Sequence, residues 1–225
     1  MHLLENVQIH DLGLIIDETL IIADLHLGYE EAMARNGYML PRYQFSETVK
    51  RILDILERSP VKKIVINGDL THEFSRISRQ ERKDTDKLLA LLKRKYDVIL
   101  VRGNHDTMTP GMKEQFLIGN TLIIHGHKIP EIPKEVETIV IGHEHPAISI
   151  GDNIRRELYK CFLFGSYKGY KLIVLPSFNQ VTEGTDVSKE ELLSPFLKEG
   201  VQDFDVFIVG FDEIYHFGTV FQASL

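Results

Sequence analysis

Residues 123–146 read IIHGHKIPEIPKEVETIVIGHEHP and contain two short runs of β-branched residues, each followed by a His-x-His pair. Each run has the composition of a buried β-strand. The four histidines are therefore either ligands of one metal site at the ends of two strands or ordinary strand-end residues. The first interpretation requires further ligands elsewhere in the chain, and the ends of the other strands are the place to look for them.

Three earlier runs have the same composition as these two, and segments of helical periodicity separate them. The runs are TLIIAD (19–24), KIVING (63–68) and DVILVRG (97–103), which join TLIIHG (121–126) and TIVIGH (138–143). Alternation of strands and helices is typical of an α/β sheet with parallel strands.

Two helices are predicted between the first three strands. The second begins at Ser78, where SRQE has the form of a capping box. The first carries an apolar stripe at the spacing of one helix face, made of Phe45, Val49, Ile52, Leu53 and Leu56.

Beyond residue 146 the chain predicts a second, more antiparallel sheet. Its strands are linked by hairpins, and one short helix is expected near residues 188–197. We therefore expect an α/β fold in four layers, an α-β-β-α sandwich of two mixed sheets flanked by helices. The absence of repeats and of Pro/Gly/Ser-rich linkers predicts a single domain over residues 1–225, with no separate capping domain. The predicted strands of this second half are residues 147–151, 161–167, 170–176, 203–211 and 213–221.

Composition restricts the class of protein. The 225 residues are 43% hydrophobic, without the run of about 18 apolar residues that a membrane span needs. The first residues lack the pattern of a signal peptide, and the lone Cys161 cannot form an internal disulfide, so we expect a cytoplasmic protein. The formal net charge of -7 does not indicate nucleic-acid binding. One basic cluster, read as a solvated hairpin face or as a phosphate contact, comprises Arg155, Arg156, Lys160, Lys168 and Lys171.

All five early runs end in polar residues of one kind. They end in ADLH, NGDLTH, RGNHD, HGH and GHEH, so each supplies Asp, Asn or His, and four contain glycine. A single such end is commonly a cap or a turn. Five of them at the edge of an α/β sheet where ligands bind are difficult to explain as coincidence. Two divalent ions about 3.5–4 Å apart need a bridging carboxylate with nitrogen and oxygen donors. These donors suit Mn, Fe or Zn, and the absence of thiolates argues against a structural zinc site.

In chain order, the motifs D-x-H, G-D, G-N-H-D, H and G-H-x-H resemble the signature of the calcineurin-like metallophosphoesterases over residues 24–145. Three longer stretches, DLHLGYE (24–30), GDLTH (68–72) and LPSFNQVTEGTD (175–186), are similar to a small archaeal and bacterial branch of that superfamily. Its bacterial members are called ligase-associated DNA-damage-response phosphoesterases. The resemblance implies a dinuclear metal site that hydrolyses phosphoesters, with Mn as the expected metal and Fe, Zn, Ni or Mg as alternatives.

The same resemblance assigns the metal ligands residue by residue. Three of the four histidines in the opening stretch become ligands, and His127 does not. The sets are Asp24, His26 and His145 for the first metal, Asp69 as the bridge between both ions, and Asn104, His125 and His143 for the second metal.

Two further histidines are expected to act in catalysis. The resemblance places His105 over the two ions without ligating them, where an imidazole can stabilise phosphoryl charge or donate a proton to the leaving oxygen. His72 lies three residues after Asp69, where calcineurin-type phosphatases carry Asp and the double-strand-break repair nucleases of the superfamily carry His. We therefore expect His72 to orient or assist His105 in a nuclease or phosphodiesterase. The alternative is that His72 only initiates a helix.

Three residues keep two interpretations each. Asp106 either anchors its own loop through backbone hydrogen bonds or acts directly in catalysis, and Tyr29 either reaches the substrate or packs under its loop. His127 either lies at the rim of the site, supporting a ligand, or makes a structural hydrogen bond. Residues 176–184 leave a strand and could line the site, but no chemistry is assigned to them.

The predicted function is that of a dinuclear metal-dependent phosphoesterase that hydrolyses phosphodiesters, as a nuclease or phosphodiesterase, by metal-activated attack of water. A phosphatase acting on small phosphomonoesters or nucleotides is the alternative. A non-catalytic scaffold of the same fold is a third interpretation, disfavoured because all seven ligand positions and His105 carry competent residues. The expected partners are a phosphoester substrate, DNA or a nucleotide, and no membrane.

Overall fold

Two mixed β-sheets form the centre of the molecule. The computed structural model describes residues 1–38, 41–73, 77–107, 109–151, 155–211 and 213–225. The first sheet has six strands, which follow one another across the sheet in chain order. They are β1 (His2–Leu4), β2 (Val7–His10), β3 (Gly13–Ile16), β4 (Thr19–Ile22), β5 (Lys63–Asn67) and β6 (Asp97–Val101).

The parallel half of this sheet is formed by β4, β5 and β6, as the first three motif runs predict. Val65 in β5 is paired with Ile21 on one side and Ile99 on the other. The short antiparallel strands β1–β3 were missed from the sequence. Asp11 (φ 56°) turns the chain between β2 and β3, and Asp17 (φ 52°) turns it between β3 and β4, both in the left-handed conformation that Asp tolerates.

Helices cover the outer face of the first sheet. The short α1 (Tyr29–Arg35) follows β4, and α2 (Gln44–Glu57) and α3 (Arg79–Leu92) connect the parallel strands. Among the described residues, no helix has the length and apolar character that would let it cross a membrane.

The start of α3 is confirmed as a capping box. Ser78 Oγ accepts the Glu81 N–H at 3.0 Å, and Glu81 Oε2 accepts the Ser78 N–H at 3.2 Å. Two of the four N–H groups that a helix leaves unpaired at its start are satisfied in such a box, which fixes where the helix begins.

The apolar stripe of α2 is confirmed except at one position. Ile52 and Leu56 are buried against the sheet, but Leu53 is 38% exposed and Ile55 lies on the packed face in its place. The ideal spacing of 3.6 residues per turn allows both assignments, and the angle at which α2 lies on the sheet selects Ile55.

Within the described residues the second sheet has nine strands, and three of them, β8 (Thr121–Ile123), β9 (Thr138–Ile141) and β12 (Tyr170–Val174), run parallel to one another. Strand β9 lies between the other two, and its Ile139 is paired with Leu122 and Leu172. The remaining strands pair mostly in antiparallel hairpins, as the second half of the chain predicts. The nine strands are β7 (Phe116–Ile118), β8 (Thr121–Ile123), β9 (Thr138–Ile141), β10 (Pro146–Gly151), β11 (Arg156–Tyr167), β12 (Tyr170–Val174), β13 (Thr185–Asp186), β14 (Asp205–Val209) and β15 (Ile214–Thr219).

The two sheets share an apolar core. Ile21 and Val65 of the first sheet, and Val140, Phe162 and Ile173 of the second, are fully buried in it. Burying such side chains contributes on the order of 1.5–3 kcal/mol each. The mixed α/β fold class with two mixed sheets is confirmed.

The outer face of the second sheet is covered mainly by irregular chain. Phe196, Leu197 and Val201 pack on it together with the four-residue helix α4 (Val220–Ala223). The prediction of a short helix near residues 188–197 is wrong, because these residues form turns.

A proline and a buried carboxylate explain that difference. Pro195 disfavours helical backbone at the residue before it. Glu144 Oε2 accepts the N–H groups of Leu193 and Ser194 at 2.9 and 2.8 Å, so these donors are satisfied by a distant side chain and not by a helix.

The carboxyl ends of the parallel strands of both sheets meet at one edge of the molecule. Backbone hydrogen bonds join them there: Phe178 N–H to Ala23 O at 2.8 Å, and Gly142 N–H to His125 O at 2.9 Å. The five polar motif ends are thereby brought into one place.

Candidate metal centre

The loops that follow β4 and β5 are held side by side by their backbones. Asp24 N–H donates to Gly68 O at 3.2 Å, and His26 N–H donates to Asp69 O at 2.9 Å. These bonds continue the pairing of the two strands beyond their ends. Backbone hydrogen bonds alone therefore align the first two motifs.

Unusual backbone conformations are concentrated at the predicted ligands. Eight non-glycine residues of the described chain have positive φ, and five of them are predicted metal ligands. Left-handed backbone costs a non-glycine residue on the order of 1–3 kcal/mol and persists only where the surroundings enforce it. The five are Asp24 (φ 57°), His26 (φ 44°), Asp69 (φ 48°), His143 (φ 67°) and His145 (φ 53°).

Two motif glycines give the carboxylates room. A Cβ on Gly142 would lie 2.6 Å from Asp24 Oδ2, and a Cβ on Gly103 would collide with Asp69 Oδ1. Any side chain at either position would push a carboxylate out of place. The glycines of RGNHD and GHEH are thus required by the close approach of a carboxylate.

The first group of donors consists of Asp24, His26 and His145. His26 Nε2 lies 3.3 Å from His145 Nε2, and His145 Nε2 lies 3.4 Å from Asp24 Oδ1. The three ligand atoms lie within 4.8 Å of one another. Asp24 Oδ1 is buried and accepts no hydrogen bond in the described structure. A buried carboxylate oxygen facing two imidazole nitrogens is a donor set that a cation would complete.

The second group consists of Asp69, Asn104, His125 and His143. His125 Nε2 lies 3.0 Å from Asn104 Oδ1 and 3.3 Å from Asp69 Oδ2. The His143 ring centroid lies 5.0 Å from that of His125, and ligand atoms of Asp69, His125 and His143 lie within 4.8 Å of one another.

Asp69 stands between the two groups. Its Oδ2 lies 3.7 Å from His26 Nε2 in the first group and 3.3 Å from His125 Nε2 in the second. Its Oδ1 accepts the His105 N–H at 2.9 Å, which fixes the rotation of the carboxylate. The geometry suits a carboxylate that contacts two ions at once.

The protonation states at the site suit metal binding. Burial and a neighbouring histidine lower the pKa of His26 to about 3 and that of His143 to about 4, so both rings are neutral at physiological pH. Burial alone would raise the pKa of Asp69. The hydrogen bond and charge of His125 outweigh burial, so the pKa of Asp69 lies below its usual range. Neutral imidazoles and ionised carboxylates are the forms that bind metal ions.

His125 is the exception among the histidines. Burial lowers its pKa, but the hydrogen bond with Asp69 and the charge of Asp24 outweigh burial and raise the pKa to about 9. Two ionised carboxylates buried together need positive charge, which a proton on His125 or a bound cation supplies. Metal binding would release that proton.

The donor types agree with the expected metals. Carboxylate, imidazole and amide oxygen suit Mn, Fe or Zn, and the single cysteine, Cys161, is buried in the core of the second sheet away from these donors. The residues brought together by the fold therefore fit a pair of divalent ions.

The two predicted catalytic histidines lie beside the first group. The His105 ring meets the His26 ring edge-on, with centroids 4.8 Å apart, and the His72 ring stacks on His105 at 5.6 Å. The carbonyl of His72 accepts a hydrogen bond from His105 Nδ1. His72 Nδ1 lies 3.4 Å from His26 Nδ1. The backbone of His72 thus orients His105, and its ring contacts the histidines on both sides.

The remaining predicted residues are also near the centre. Asp106 Oδ2 accepts the Gly103 N–H at 3.0 Å and Oδ1 accepts the Leu70 N–H at 3.1 Å, so this buried carboxylate ties two motif loops together. The Tyr29 ring packs edge-on against His72 with centroids 4.8 Å apart. His127 is half-buried.

His127 faces the second group of donors. Its ring centroid lies 5.3 Å from that of His125 and 6.1 Å from that of His143. Its Nδ1 is buried and makes no hydrogen bond with the described residues.

Several supporting residues were missed from the sequence. Gln44 is buried and donates through Nε2 to the His26 carbonyl at 2.7 Å. The Asn67 carbonyl lies 3.2 Å from His125 Nδ1, which leaves Nε2 directed at Asn104. Only Asn67 carried a signal, as a polar residue that ends an apolar run. Gln44 lies on a helix whose pattern gives no hint of the contact.

The predicted basic cluster does not form a single surface. Arg156 begins the 12-residue strand β11, and Lys168 follows its other end. Lys160 points inward, where its Nζ donates to the carbonyls of Ser177 and Asn179. Burial lowers the pKa of Lys160 to about 7. Lys160 is therefore not part of a solvated or phosphate-binding face.

A known structure shares this architecture. The nuclease MPE from Pseudomonas putida matches with a TM-score of 0.66 and 16% sequence identity, with 92% of each chain covered. The phosphoesterase Yfce from E. coli matches with a TM-score of 0.46 and 16% identity, covering 89% of this chain and 98% of its own. At 16% identity the similarity to the Pseudomonas putida structure concerns the fold alone. Comparison with curated proteins by sequence finds no significant match.

Sequence comparison with protein families gives a direct assignment. The profile of the calcineurin-like phosphoesterases matches residues 18–210, a range that contains all seven predicted ligands and His105. The chain therefore belongs to the calcineurin-like phosphoesterase family.

Proposed function

We propose that this chain is a dinuclear metal-dependent phosphoesterase that hydrolyses phosphodiesters. The observation that carries the proposal is the pair of donor groups joined by Asp69, with His105 beside them. Seven donors of the required types converge from five loops, and the left-handed backbone at five of them is enforced by the surrounding structure. Mn is the proposed metal, as the family resemblance implies, and the carboxylate, imidazole and amide donors suit it as they suit Fe or Zn.

The chain's own residues have distinct parts in the proposed reaction. When bound, the two ions would supply Lewis-acid activation of the phosphoryl group and of the attacking water. The hydrogen bond from His105 Nδ1 to the His72 carbonyl turns Nε2 towards the centre, 3.8 Å from Asp69 Oδ2. From this position Nε2 would deliver a proton to the leaving oxygen.

His72 supports a diester as the substrate. Burial and the charge of His105 lower the pKa of His72, so its ring is neutral at physiological pH. The wall beside His105 is then formed by the uncharged rings of His72 and Tyr29. Such a wall can lie against the uncharged second ester arm of a diester, whereas a carboxylate in the same place would lose water to that arm at a cost in free energy. That the structural neighbour from Pseudomonas putida is a nuclease agrees with a DNA or nucleotide substrate. We place the enzyme in the cytoplasm.

The activity is tested by a substrate comparison in Mn-supplemented buffer. Bis-p-nitrophenyl phosphate, p-nitrophenyl phosphate, cyclic nucleotides, and single- and double-stranded DNA are compared, with a chelator-treated sample as the control. We expect diester hydrolysis to exceed monoester hydrolysis and to vanish on chelation. Hydrolysis of the monoester alone would establish the phosphatase alternative. Protein that binds two ions but cleaves none of these substrates would support the scaffold.

Substituting His72→Asp is expected to lower the ratio of diester to monoester hydrolysis while leaving metal content unchanged. The introduced carboxylate would stand beside His105, where the second ester arm of a diester passes and a monoester has no group. The main-chain hydrogen bond from His105 to the residue-72 carbonyl would persist, so orientation of His105 is not lost.

The ratio of kcat/KM values for the two p-nitrophenyl substrates measures this effect. His72→Asn, which shortens the side chain without adding charge, is the matched control. Equal loss of both activities in His72→Asp would show that position 72 does not discriminate between the substrates.

A further inference from the structure

Residues 177–179 connect the two sheets directly above Asp24. Phe178 N–H donates to Ala23 O at 2.8 Å, and its ring is fully buried in the core between the first sheet and helices α2 and α3. Ser177 Oγ donates to the Asp24 carbonyl at 2.9 Å, and Asn179 N–H approaches the same carbonyl at 3.2 Å. A segment that leaves the second sheet thus makes hydrogen bonds with the backbone of Asp24, a predicted ligand that follows a strand of the first sheet.

Lys160 holds this segment from the other side. Its Nζ donates to the Ser177 carbonyl at 2.9 Å and to the Asn179 carbonyl. Ser177 and Asn179 are fully buried, so water does not reach their side chains. The Lys160 side chain is partly buried. Partial burial of an ammonium group is costly unless its donors are used, and here two backbone carbonyls use them.

Asp24 needs such support. Its backbone is left-handed (φ 57°), a conformation that costs on the order of 1–3 kcal/mol. Its carboxylate is fixed at the same time: Oδ2 accepts the His143 N–H at 3.0 Å, and Oδ1 faces His145 Nε2 at 3.4 Å. If the carbonyl of Asp24 lost its donors, the peptide could rotate towards a relaxed conformation and carry the carboxylate away from His26 and His145.

We propose that Lys160 is a positioning residue for the first metal: by holding residues 177–179 against the Asp24 backbone, it fixes the carboxylate that binds this ion. The inference rests on the proposed dinuclear function. It gives the stretch LPSFNQ a role that its sequence alone does not disclose. Residues behind metal ligands typically change metal affinity by about 10–100-fold when they are substituted.

The effect should be larger at the first ion than at the second. Asp24 is a predicted ligand of the first ion, whereas it reaches the second set only indirectly, chiefly through the hydrogen bond from the His143 N–H, and His125 is held by another contact, the Asn67 carbonyl at its Nδ1. A purely structural role would lower stability and weaken both ions together. The difference between the two affinities is therefore the decisive measurement.

The test compares Mn binding to the wild-type chain, Lys160→Met and the control Lys171→Met, whose lysine is exposed on the neighbouring strand β12. Titration calorimetry gives the number and affinity of the ions, and electron paramagnetic resonance distinguishes a coupled Mn pair from single Mn. For Lys160→Met we expect the first ion to bind about 10–100-fold more weakly, with loss of the coupled signal, and the second ion to be weakened clearly less. His145→Ala and His143→Ala supply the reference patterns for loss of the first and second ion.

Each outcome has a defined meaning. Unchanged affinities in Lys160→Met, or an equal weakening of both ions, would overturn the inference. Failure of the wild-type chain to bind two ions would instead overturn the proposed function. If Lys160→Met does not fold, Ser177→Ala decides, because it removes the hydroxyl donor to the Asp24 carbonyl, together with an acceptor for the Asn179 N–H at 3.1 Å. Selective weakening of the first ion in that variant supports the positioning role, and unchanged binding contradicts it.

Discussion

Asp69→Asn is expected to lose both metal ions and, with them, all measurable activity. Asp69 Oδ2 lies between the two donor groups, 3.7 Å from His26 Nε2 and 3.3 Å from His125 Nε2. An amide oxygen carries no net charge and bridges two cations poorly, so neither ion would keep its shared ligand. The substitution also removes a carboxylate that helps to raise the pKa of His125 to about 9.

Metal analysis after equilibration with saturating Mn measures the loss. The wild-type chain should hold two ions and Asp69→Asn none or nearly none. Asp97→Asn, at an exposed position at the start of β6, is the matched control and should retain both ions. Two ions retained in Asp69→Asn would show that the carboxylate does not bridge them.

His105→Ala is expected to retain both ions while kcat falls by about 10²–10⁴-fold, the usual contribution of a positioned proton donor. His105 belongs to neither ligand set, and its Nδ1 is engaged by the His72 carbonyl. Its contact with Asp69 Oδ1 is made by the backbone N–H at 2.9 Å, which alanine preserves. The bridging carboxylate therefore keeps its orientation in the variant.

The leaving group of the substrate separates proton donation from charge stabilisation. If His105 donates the proton, an alkyl ester should lose more rate than a p-nitrophenyl ester, whose leaving group departs without one. His216→Ala, an exposed histidine on β15, is the control. Because His105 also lies in a possible donor cluster with His26 and His72, metal content must be measured in the same samples. Loss of an ion in parallel with activity would mean that His105 is a ligand.

The parallel strands and the donor residues could be predicted because both depend on residues that are close together in the sequence. Each apolar run is followed at once by its polar motif, as in KIVING leading to Asp69 and TIVIGH leading to His143. Parallel strands place their carboxyl ends at one edge, so a pattern that repeats along the chain becomes a cluster in space. The capping box at Ser78 was equally local, since its two partners are three residues apart.

Other features were beyond the reach of local patterns. Lys160 appeared as one of several surface bases, yet the fold turns it inward onto residues 177–179. The helix expected near residues 188–197 was replaced by turns, partly because Glu144 takes the N–H groups of residues some 50 positions away. The link between His72 and His105 was expected through the side chains, and the hydrogen bond runs through the His72 carbonyl.

The sequence by itself determined which atoms can bind metal and the strand ends that carry them, because residue type and spacing suffice for that. Only the tertiary structure decided how those ligand atoms are oriented. The left-handed backbone at Asp24 and Asp69, and the supports from Gln44 and Lys160, depend on contacts between segments distant in the chain. The free energy that holds a strained ligand in place comes from packing and hydrogen bonds across the two sheets, and a one-dimensional pattern does not encode which distant residue will supply them.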